Sequence, residues 1–345
     1  MKAPIRAVRV LVALCAALSL LTVGGCGAWS PSPSRPWPGS WLESGREPLG
    51  DGARIMVPNT AGGGYDTTAR TVARVFREAG IASDVQVFNL PGAGGTVGLR
   101  RLVNERGNGS LALQMGLGVL GAAHVSGSTA SVAQTTPLAR LLAESEAVVV
   151  AADSPYRTVG DLVAAWRAHP GRMRVGGGSS VGGPDELFPM QFAKAVGIDP
   201  GKVAYVAYDG GGGDLLPALL DGEVDFATSG LGEFLDQIRA GQLRVLAVTG
   251  ARPVAALPGV PTLRSAGIDL VFDNWRGIVA PPGIGDEERR RWIDALTALH
   301  DTPEWKAELA RHGWTDTFAT GDAFAAFLAR EDRAIGRLVA QFGLE

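Results

Sequence analysis

The chain has little cysteine and histidine, and this scarcity excludes several classes of site. Its 345 residues contain two cysteines and four histidines. Cys15 lies inside an N-terminal apolar run that a secreted protein loses, which leaves Cys26 without a partner for an internal disulfide. A core held by packing alone is therefore expected, and neither a transition-metal site nor another cofactor is predicted.

Basic residues are too sparse in the mature chain to form a surface for nucleic acid. The formal charge of the full sequence is −3, and loss of Lys2, Arg6 and Arg9 with a leader takes it to −6. No stripe of basic residues interleaved with aromatic residues occurs. The P-loop pattern G-x-x-x-x-G-K-[ST] is absent as well. The sequence therefore predicts no nucleic-acid partner and no P-loop.

What the sequence does have begins with an export signal. Basic residues precede an apolar stretch from Val10 to Val23, shorter than the roughly 20 residues of a membrane span. Val23-Gly24-Gly25-Cys26 resembles a bacterial lipobox, in which cleavage leaves an acylated cysteine, and ordinary secretory cleavage is the alternative. We predict a signal peptide over residues 1–25 and a lipid-anchored, extracytoplasmic tether over 26–52, where proline and serine are frequent.

The remaining residues, about 295, exceed one typical core, so two lobes are expected. Short apolar runs alternate with helical patterns, which predicts an α/β fold with largely parallel sheets. The predicted strands are Ile55–Val57, Val85–Phe88, Leu111–Met115, Ala147–Ala151, Arg174–Gly176, Val203–Val206, Val224–Ala227 and Leu243–Val248. The predicted helices lie within residues 67–80, 158–171, 185–197 and 215–222, and each stretch ends at a glycine.

Four glycine-rich turns punctuate this pattern, at Gly62–Gly64, Gly92–Gly95, Gly176–Gly183 and Gly210–Gly213. Each turn follows a predicted strand, and most precede a helix. In open α/β sheets, ligands bind beyond the carboxyl ends of strands, where helix N-termini offer free N–H groups. Two turns fall in each half of the chain, which predicts two lobes facing each other across a ligand cleft.

In the first turn, two roles are open for Asp66. The favoured role is structural, as a helix cap that pairs with Arg70, because a carboxylate would repel an anionic ligand. The glycine N–H groups and Tyr65 are better candidates for binding a carboxylate, since neutral donors and helix dipoles can hold one without a full counter-charge. A side chain at Gly63 is then expected to obstruct the anion, or to forbid a backbone angle that only glycine adopts.

Gly178-Ser179-Ser180-Val181-Gly182 matches the G-x-S-x-G pattern, which raises the alternative of a secreted serine hydrolase. Three glycines widen this turn, however, and no HGG-type oxyanion motif occurs. His300 and His312 lie near the ends of helical patterns and are interpreted as structural. Reversible binding by the turns, with Ser179, Ser180 and Ser229, is therefore predicted in preference to catalysis.

Longer stretches of the sequence resemble one family of receptors. They are VPNTAGGGYDTTAR, NLPGAGGTVGL, TPLARLLAESEAVVVAADSPY, GGSSVGGPDEL, YVAYDGGGGDLLPALLDGEVDFATSGLGEF, RAGQLRVLAVTGARPVAALPGVPTL and NWRGIVAPPGI. In this order, from about Ile55 to Leu344, they resemble the extracytoplasmic solute-binding receptors of tripartite tricarboxylate transporters. The chain departs from the family pattern at Glu186, where many relatives have histidine, and at Asp214, where glutamate is usual. Both departures bear on the ligand more than on the class.

The resemblance implies a two-lobed periplasmic-binding (Venus-flytrap) fold that closes on a di- or tricarboxylate. It also implies delivery of the acid to a membrane permease of one large and one small subunit, by a receptor that is a monomer. It favours a citrate-like ligand and leaves smaller dicarboxylates and aromatic acids open. The matching positions in lobe one are Gly62, Gly63, Gly64, Tyr65, Asp66, Gly92, Ala93, Gly94 and Gly95. Those in lobe two are Ser179, Ser180, Gly182, Gly183, Asp185, Tyr208, Gly211, Gly212 and Ser229.

The same fold implies discontinuous lobes. Lobe one is expected over residues 53–152 and 275–345 and lobe two over 153–274, with crossings near VVVAADSPY and VFDNWRG. One rival hypothesis is a sensor that presents its bound acid to a histidine-kinase ectodomain, since such a sensor needs the same closing receptor. The other is the hydrolase that uses Ser180.

Overall fold

The computed structural model describes residue 49 and residues 52–208 and 211–344, and these residues all belong to one compact unit. The predicted signal peptide, Cys26 and almost all of the predicted tether lie outside the described residues. Within the described part of the chain, no helix has both the length and the apolar character needed to cross a membrane.

Strands and helices alternate through the described chain. The strands are β1 Ala53–Val57, β2 Val85–Asn89, β3 Leu111–Gly116, β4 Thr136–Ala151, β5 Arg174–Gly177, β6 Ala204–Ala207, β7 Phe226–Gly230, β8 Leu243–Val248, β9 Asp273–Ala280 and β10 Thr315–Thr320. The helices are α1 Gly64–Glu78, α2 Thr96–Asn104, α3 Leu117–Val125, α4 Val159–Ala168, α5 Pro184–Ala195, α6 Gly212–Leu220, α7 Leu235–Arg239, α8 Asp286–Asp301, α9 Pro303–His312 and α10 Gly321–Phe342. The eight predicted strands correspond to β1–β8, and the four predicted helices to α1, α4, α5 and α6.

The fold has two lobes, each built on a mixed sheet. In lobe one, β2, β1 and β3 are parallel neighbours, and β9, β4 and β10 add antiparallel pairs. In lobe two, β6, β5 and β7 are parallel neighbours, and β4 and β8 add antiparallel pairs. The parallel part agrees with the predicted alternation of strands and helices. The antiparallel strand pairs, most of which involve β4, were not predicted.

Strand β4 belongs to both sheets. Its residues from Thr136 to Ser145 pair with β9, whereas Glu146–Val149 pair with β7. The change of partner falls inside the sequence Glu144-Ser145-Glu146, where all three polar side chains are buried. Acidic side chains are therefore held in the interior at the junction of the two sheets. The division of residues between the lobes given above stays a prediction.

Helices α1 and α5 begin beside this junction for local reasons. Along α1, Ala69, Val72 and Phe76 repeat at helical spacing and are fully buried. Pro184 is the first residue of α5, a position where its missing N–H costs nothing. Gly63 and Gly183 hold the N-cap positions without side-chain caps, so the first N–H groups of α1 stay available to other partners. In α5, Pro184 has no N–H, and those of Asp185 and Glu186 donate to Ser179 Oγ and to the carbonyl of Gly183.

Candidate ligand-binding site

A cavity with an empty volume of about 570 Å³ lies between the lobes. The starts of α1 and α5 form opposite walls, and the beginning of β9 contributes a third side. Six predicted residues line it: Gly63, Gly64, Tyr65, Ser179, Asp185 and Gly211. Eight others, which were not among the predicted ligand-binding residues, are Asn59, Thr60, Gly118, Gly178, Pro184, Glu233, Asn274 and Arg276. Two helix N-termini therefore face the same space.

The carboxylate of Asp66 stabilises the turn before α1 through hydrogen bonds. Gly62 adopts φ 91°, and its N–H donates to Asp66 Oδ2 at 2.9 Å. The same carboxylate accepts bonds from Arg70 Nε and from Asn89 Nδ2 at 2.9 Å each. Burial raises the pKa of Asp66, but the bonds from Arg70, Gly62 and Asn89 outweigh burial and lower it overall. Asp66 is thus an ionised structural residue that pairs with Arg70 and does not line the cavity.

The three glycines of this turn have different roles, and Gly63 does not need to be glycine for its backbone. Its φ is −73°, and a Cβ there would meet only a carbonyl oxygen, at 3.9 Å. The left-handed angle belongs to Gly62. A Cβ at Gly64 would overlap the guanidinium of Arg276. The expected glycine-only backbone at Gly63 is therefore wrong, because the close approach occurs one residue later.

Tyr65 connects the wall of the cavity to α3. Its hydroxyl accepts a hydrogen bond of 3.0 Å from Gly118 N, and Gly118 also lines the cavity. Burial raises the pKa of Tyr65 to about 12, against a smaller opposing influence of Arg276. The phenol therefore stays neutral and can donate its proton to an acceptor in the cavity.

The second predicted turn, Gly92–Gly95, does not line the cavity. Ala93 has φ 47°, unusual for a residue with a side chain, and Gly94 has φ 62°. A Cβ at Gly94 would lie 3.7 Å from the side chain of Ser180, which belongs to the other lobe. This turn therefore lies close to the other lobe but outside the cavity lining.

In lobe two, the carboxylate of the predicted ligand-binding residue Asp185 accepts hydrogen bonds from donors that were expected to bind a ligand. Its Oδ2 accepts hydrogen bonds from Gly178 N at 2.6 Å and from Ser229 Oγ at 2.9 Å. Its own N–H donates to Ser179 Oγ at 3.1 Å. The predicted donors Ser179 and Ser229 are thus brought together, and both bond to Asp185.

The other predicted residues of lobe two support these turns. Gly182 has φ 78°, donates to Glu186 Oε2 at 2.6 Å, and packs against Gly121 of lobe one. Gly212 N donates to Glu233 Oε2 at 2.6 Å. Tyr208 packs on the apolar cluster of lobe two. Of these residues, only Glu233 lines the cavity.

Arg276 supplies the cation that the sequence analysis did not assign. It projects from β9, is 3% exposed, and pairs with Glu144 of β4. Its Nη1 donates to Thr68 Oγ1 at 3.1 Å, while Nε has no hydrogen-bond partner among the described residues. A cation inside the otherwise apolar strand NWRGIVA was the signal that could have revealed it, since arginine is rarely fully buried unless paired.

Four acidic side chains lie close enough to influence one another: Glu144, Glu146, Asp185 and Glu233. Of these, Glu144 pairs with Arg276, and the charge of Arg276 also acts on Glu233. Burial, with a smaller contribution from Glu233, raises the pKa of Asp185 to about 8. Burial also raises the pKa of Glu233 and, more strongly, that of Glu146. Among the described residues, no group of three or more potential ligands is arranged so that it could hold a metal ion, and this includes these four acids.

The contacts of three histidines involve residues other than Ser180. His124 Nε2 bonds to Asp332, and His300 Nε2 bonds to Asp316, each at 2.9 Å. His312 stacks on Trp314 with ring centroids 4.2 Å apart. These contacts agree with the structural interpretation of His300 and His312.

The comparison with known families identifies the class of protein. A family model described as "Tripartite tricarboxylate transporter family receptor" (TctC) matches residues 68–344. The chain belongs to this family. It is therefore a periplasmic solute-binding receptor of the TctC type, a family of receptors rather than enzymes.

Individual relatives agree with this family and with the fold. The chain is 26% identical over 292 residues to the "UPF0065 protein in gbd 5'region" of Cupriavidus necator, covering 84% of this chain and 87% of that protein. A TctC solute-binding protein from Polaromonas has a TM-score of 0.64 at 26% identity and covers 84% and 98% of the two chains. MatC from Rhodopseudomonas palustris, solved with bound malate, has a TM-score of 0.71 at 21% identity and covers 83% and 98%.

Proposed function

We propose that this receptor captures a di- or tricarboxylate outside the cytoplasm and delivers it to the permease subunits of a tripartite tricarboxylate transporter. The observation that carries the proposal is the convergence of two helix N-termini, those of α1 and α5, on one cavity beside Arg276. Helix N-termini and a guanidinium both favour a bound carboxylate. Their placement on opposite walls suits an acid with carboxylates at both ends, and malate bound to MatC supports this class.

The proposal includes a lipid anchor and a monomeric receptor. The anchor rests on the sequence Val23-Gly24-Gly25-Cys26 alone, because these residues lie outside the described part of the chain. Acylation of Cys26 would keep the receptor at the membrane near its permease. The mass of the mature N-terminal peptide tests this step, and an unmodified Cys26 would refute it.

Capture requires the lobes to approach each other, and glycines make their contact possible. A Cβ at Gly121, in α3 of lobe one, would overlap the carbonyl group of Gly182 in lobe two. Pro184 lies near Gly118 at the same interface, where a Cβ on Gly118 would be 3.5 Å from its ring. A side chain at Gly121 would therefore hold the lobes apart without entering the cavity.

The experiment measures binding of malate, succinate and citrate to the purified protein by calorimetry, with the uncharged diamide of malate as a control ligand. At least one acid should bind and the diamide should not. At a hundred times its dissociation constant, that acid should stabilise the protein by about 2.7 kcal/mol. Gly121→Val should weaken binding at least about tenfold because the lobes cannot meet.

A control variant, Gly160→Ala, adds a methyl group whose nearest neighbour would be the hydroxyl of Thr158 at 3.5 Å, so it should bind like the parent protein. Circular dichroism checks that both variants fold. If no carboxylate binds, or if the diamide binds equally well, the proposed ligand class is wrong.

A further inference from the structure

Two acidic side chains in lobe two share one hydroxyl group. Ser229 Oγ lies 2.9 Å from Asp185 Oδ2 and 3.5 Å from Glu233 Oε2. A serine hydroxyl has one proton, so it can donate to only one of these oxygens. The same two oxygens accept bonds from Gly178 N and Gly212 N, at 2.6 Å each. These contacts leave Asp185 Oδ1 and Glu233 Oε1 without a hydrogen-bond partner among the described residues.

Among the described residues, no ion pair joins a cation to Asp185 or Glu233. The charge of Arg276 lowers the pKa of Glu233, but burial and Glu144 raise that pKa more, and the guanidinium is paired with Glu144. Burial and the neighbouring Asp185 raise the pKa of Glu146 well above its ordinary value, and its Oε2 is buried without a hydrogen-bond partner among the described residues. Two ionised carboxylates this close in a buried site would repel each other strongly.

The phenols around the pair add no charge. Tyr65 faces it from α1, and Tyr205 faces it from β6, where its hydroxyl donates to Ser179 O at 3.0 Å. Burial raises the pKa of both phenols, so both are neutral at physiological pH. Glu186, next to Asp185 in α5, is held at Gly182 N and points away from the cavity lining.

We propose that Asp185 and Glu233 hold one proton between them when an acid is bound, so that the singly protonated pair, and not the doubly ionised pair, binds the ligand. The inference rests on the proposed function, because it concerns the same cavity and a carboxylate ligand. The proton comes from solvent and converts one carboxylate of the pair into a carboxylic acid. That acid donates a hydrogen bond from its free oxygen to the ligand carboxylate, which would otherwise face two negative charges.

The raised pKa of Asp185 sets the direction of the pH dependence of binding. Burial and Glu233 raise the pKa of Asp185 to about 8, so at pH 7 the free protein already holds the proton. Above about pH 8 the free protein loses it, and binding must take it up again. Affinity should therefore be nearly constant from pH 6.5 to 7.5 and fall by up to about tenfold per pH unit above pH 8.

The test is calorimetry with the binding acid found above, from pH 6.5 to 9.5, in pairs of buffers with different ionisation enthalpies. Proton uptake on binding should be close to zero at pH 7 and approach one at pH 9. Asp185→Asn should still bind the acid at pH 7, with affinity weakened by less than about tenfold, because the amide still accepts from Gly178 and Ser229 and donates in place of the acid. Binding to Asp185→Asn should involve no proton uptake, and its affinity should no longer fall above pH 8.

Glu186→Gln is the matched control, since it neutralises the adjacent buried acid outside the cavity and should leave proton uptake unchanged. Two results would overturn the inference: affinity of the parent protein that is constant or rises from pH 7.5 to 9, or a loss of more than about tenfold in Asp185→Asn at pH 7. Either would mean that the pair is ionised and accepts from the ligand, while the proposed function stands because the acid binds. Absence of binding at every pH would overturn both.

Discussion

The two helices that meet at the cavity begin with almost the same backbone. Gly63, before α1, has φ −73° and ψ 172°, and Gly183, before α5, has φ −74° and ψ 172°. Each follows a left-handed glycine whose N–H donates to a carboxylate four residues later. The two donor–acceptor pairs are Gly62–Asp66 and Gly182–Glu186. The lobes thus present the same local structure to opposite sides of the ligand cavity.

The charges around these two turns differ. In lobe one, Arg70 and Asn89 also bind Asp66, and these bonds lower its pKa. In lobe two, burial raises the pKa of Glu186, and the bond from Gly182 only partly offsets it. Position by position, Tyr65 corresponds to Asp185, so a neutral phenol in one lobe faces an acid in the other. At these matching positions, lobe one therefore offers a neutral donor to an anion. Under the proposal above, lobe two offers such a donor only when the pair of Asp185 and Glu233 holds a proton.

The largest expected effect comes from removing the buried cation beside lobe one. Arg276→Met leaves Glu144 buried and without its partner, which should destabilise the protein by about 3–5 kcal/mol. Arg70→Met removes the cation that pairs with Asp66. Because the Arg70 side chain is 51% exposed, this change should lower the stability by about 1 kcal/mol or less. Urea denaturation without ligand measures both values.

Adding Glu144→Gln to Arg276→Met should recover most of the loss, because the uncompensated charge is then gone. Equal effects of Arg276→Met and Arg70→Met would show that Arg276 is not a buried counter-ion.

A smaller effect should separate the two N-cap glycines, although their backbones match. A Cβ at Gly183 would overlap Ser179 and lie 2.8 Å from the backbone oxygen of Ser180, whereas Gly63 has room. Gly183→Ser should therefore destabilise by about 1–3 kcal/mol through overpacking. Gly63→Ser should stay within about 0.5 kcal/mol of the parent, since serine suits an N-cap. Thermal unfolding compares the two, and equal losses would show that the turns are packed alike.

The sequence predicted the local features of these turns better than their surroundings. Glycine clusters after apolar runs located the starts of α1 and α5, because turn chemistry and helix periodicity are local signals. The contacts of Arg276 with Glu144 and Thr68 join residues 132 and 208 positions apart. Such distances depend on how β9 and β4 pair, which periodicity does not determine. The acids inside LAESEAVVV were visible as charges in an apolar strand, but their grouping around Asp185 required the fold.

The smallest effect, and the most direct test of the charge difference, compares Asp66→Asn with Glu186→Gln. Asparagine can still accept from Gly62 but cannot pair with Arg70, so at pH 7 we expect a loss of about 1 kcal/mol. Glutamine still accepts from Gly182 and removes a buried charge, so we expect no loss or a gain of about 0.5 kcal/mol. Urea denaturation at several pH values between about 2 and 8 measures both, since the effect of Asp66 is lost only below about pH 3.9.

The pH dependence of these two variants should have opposite sign. The lowered pKa of Asp66 means that its carboxylate stabilises the fold above the unfolded value of about 3.9, and this advantage over Asp66→Asn is lost as pH falls through the folded pKa. The raised pKa of Glu186 means that its ionised form is penalised at neutral pH, and the penalty shrinks as pH falls toward about 4.3. Curves that move in the same direction would show that the two turns differ in packing and not in charge.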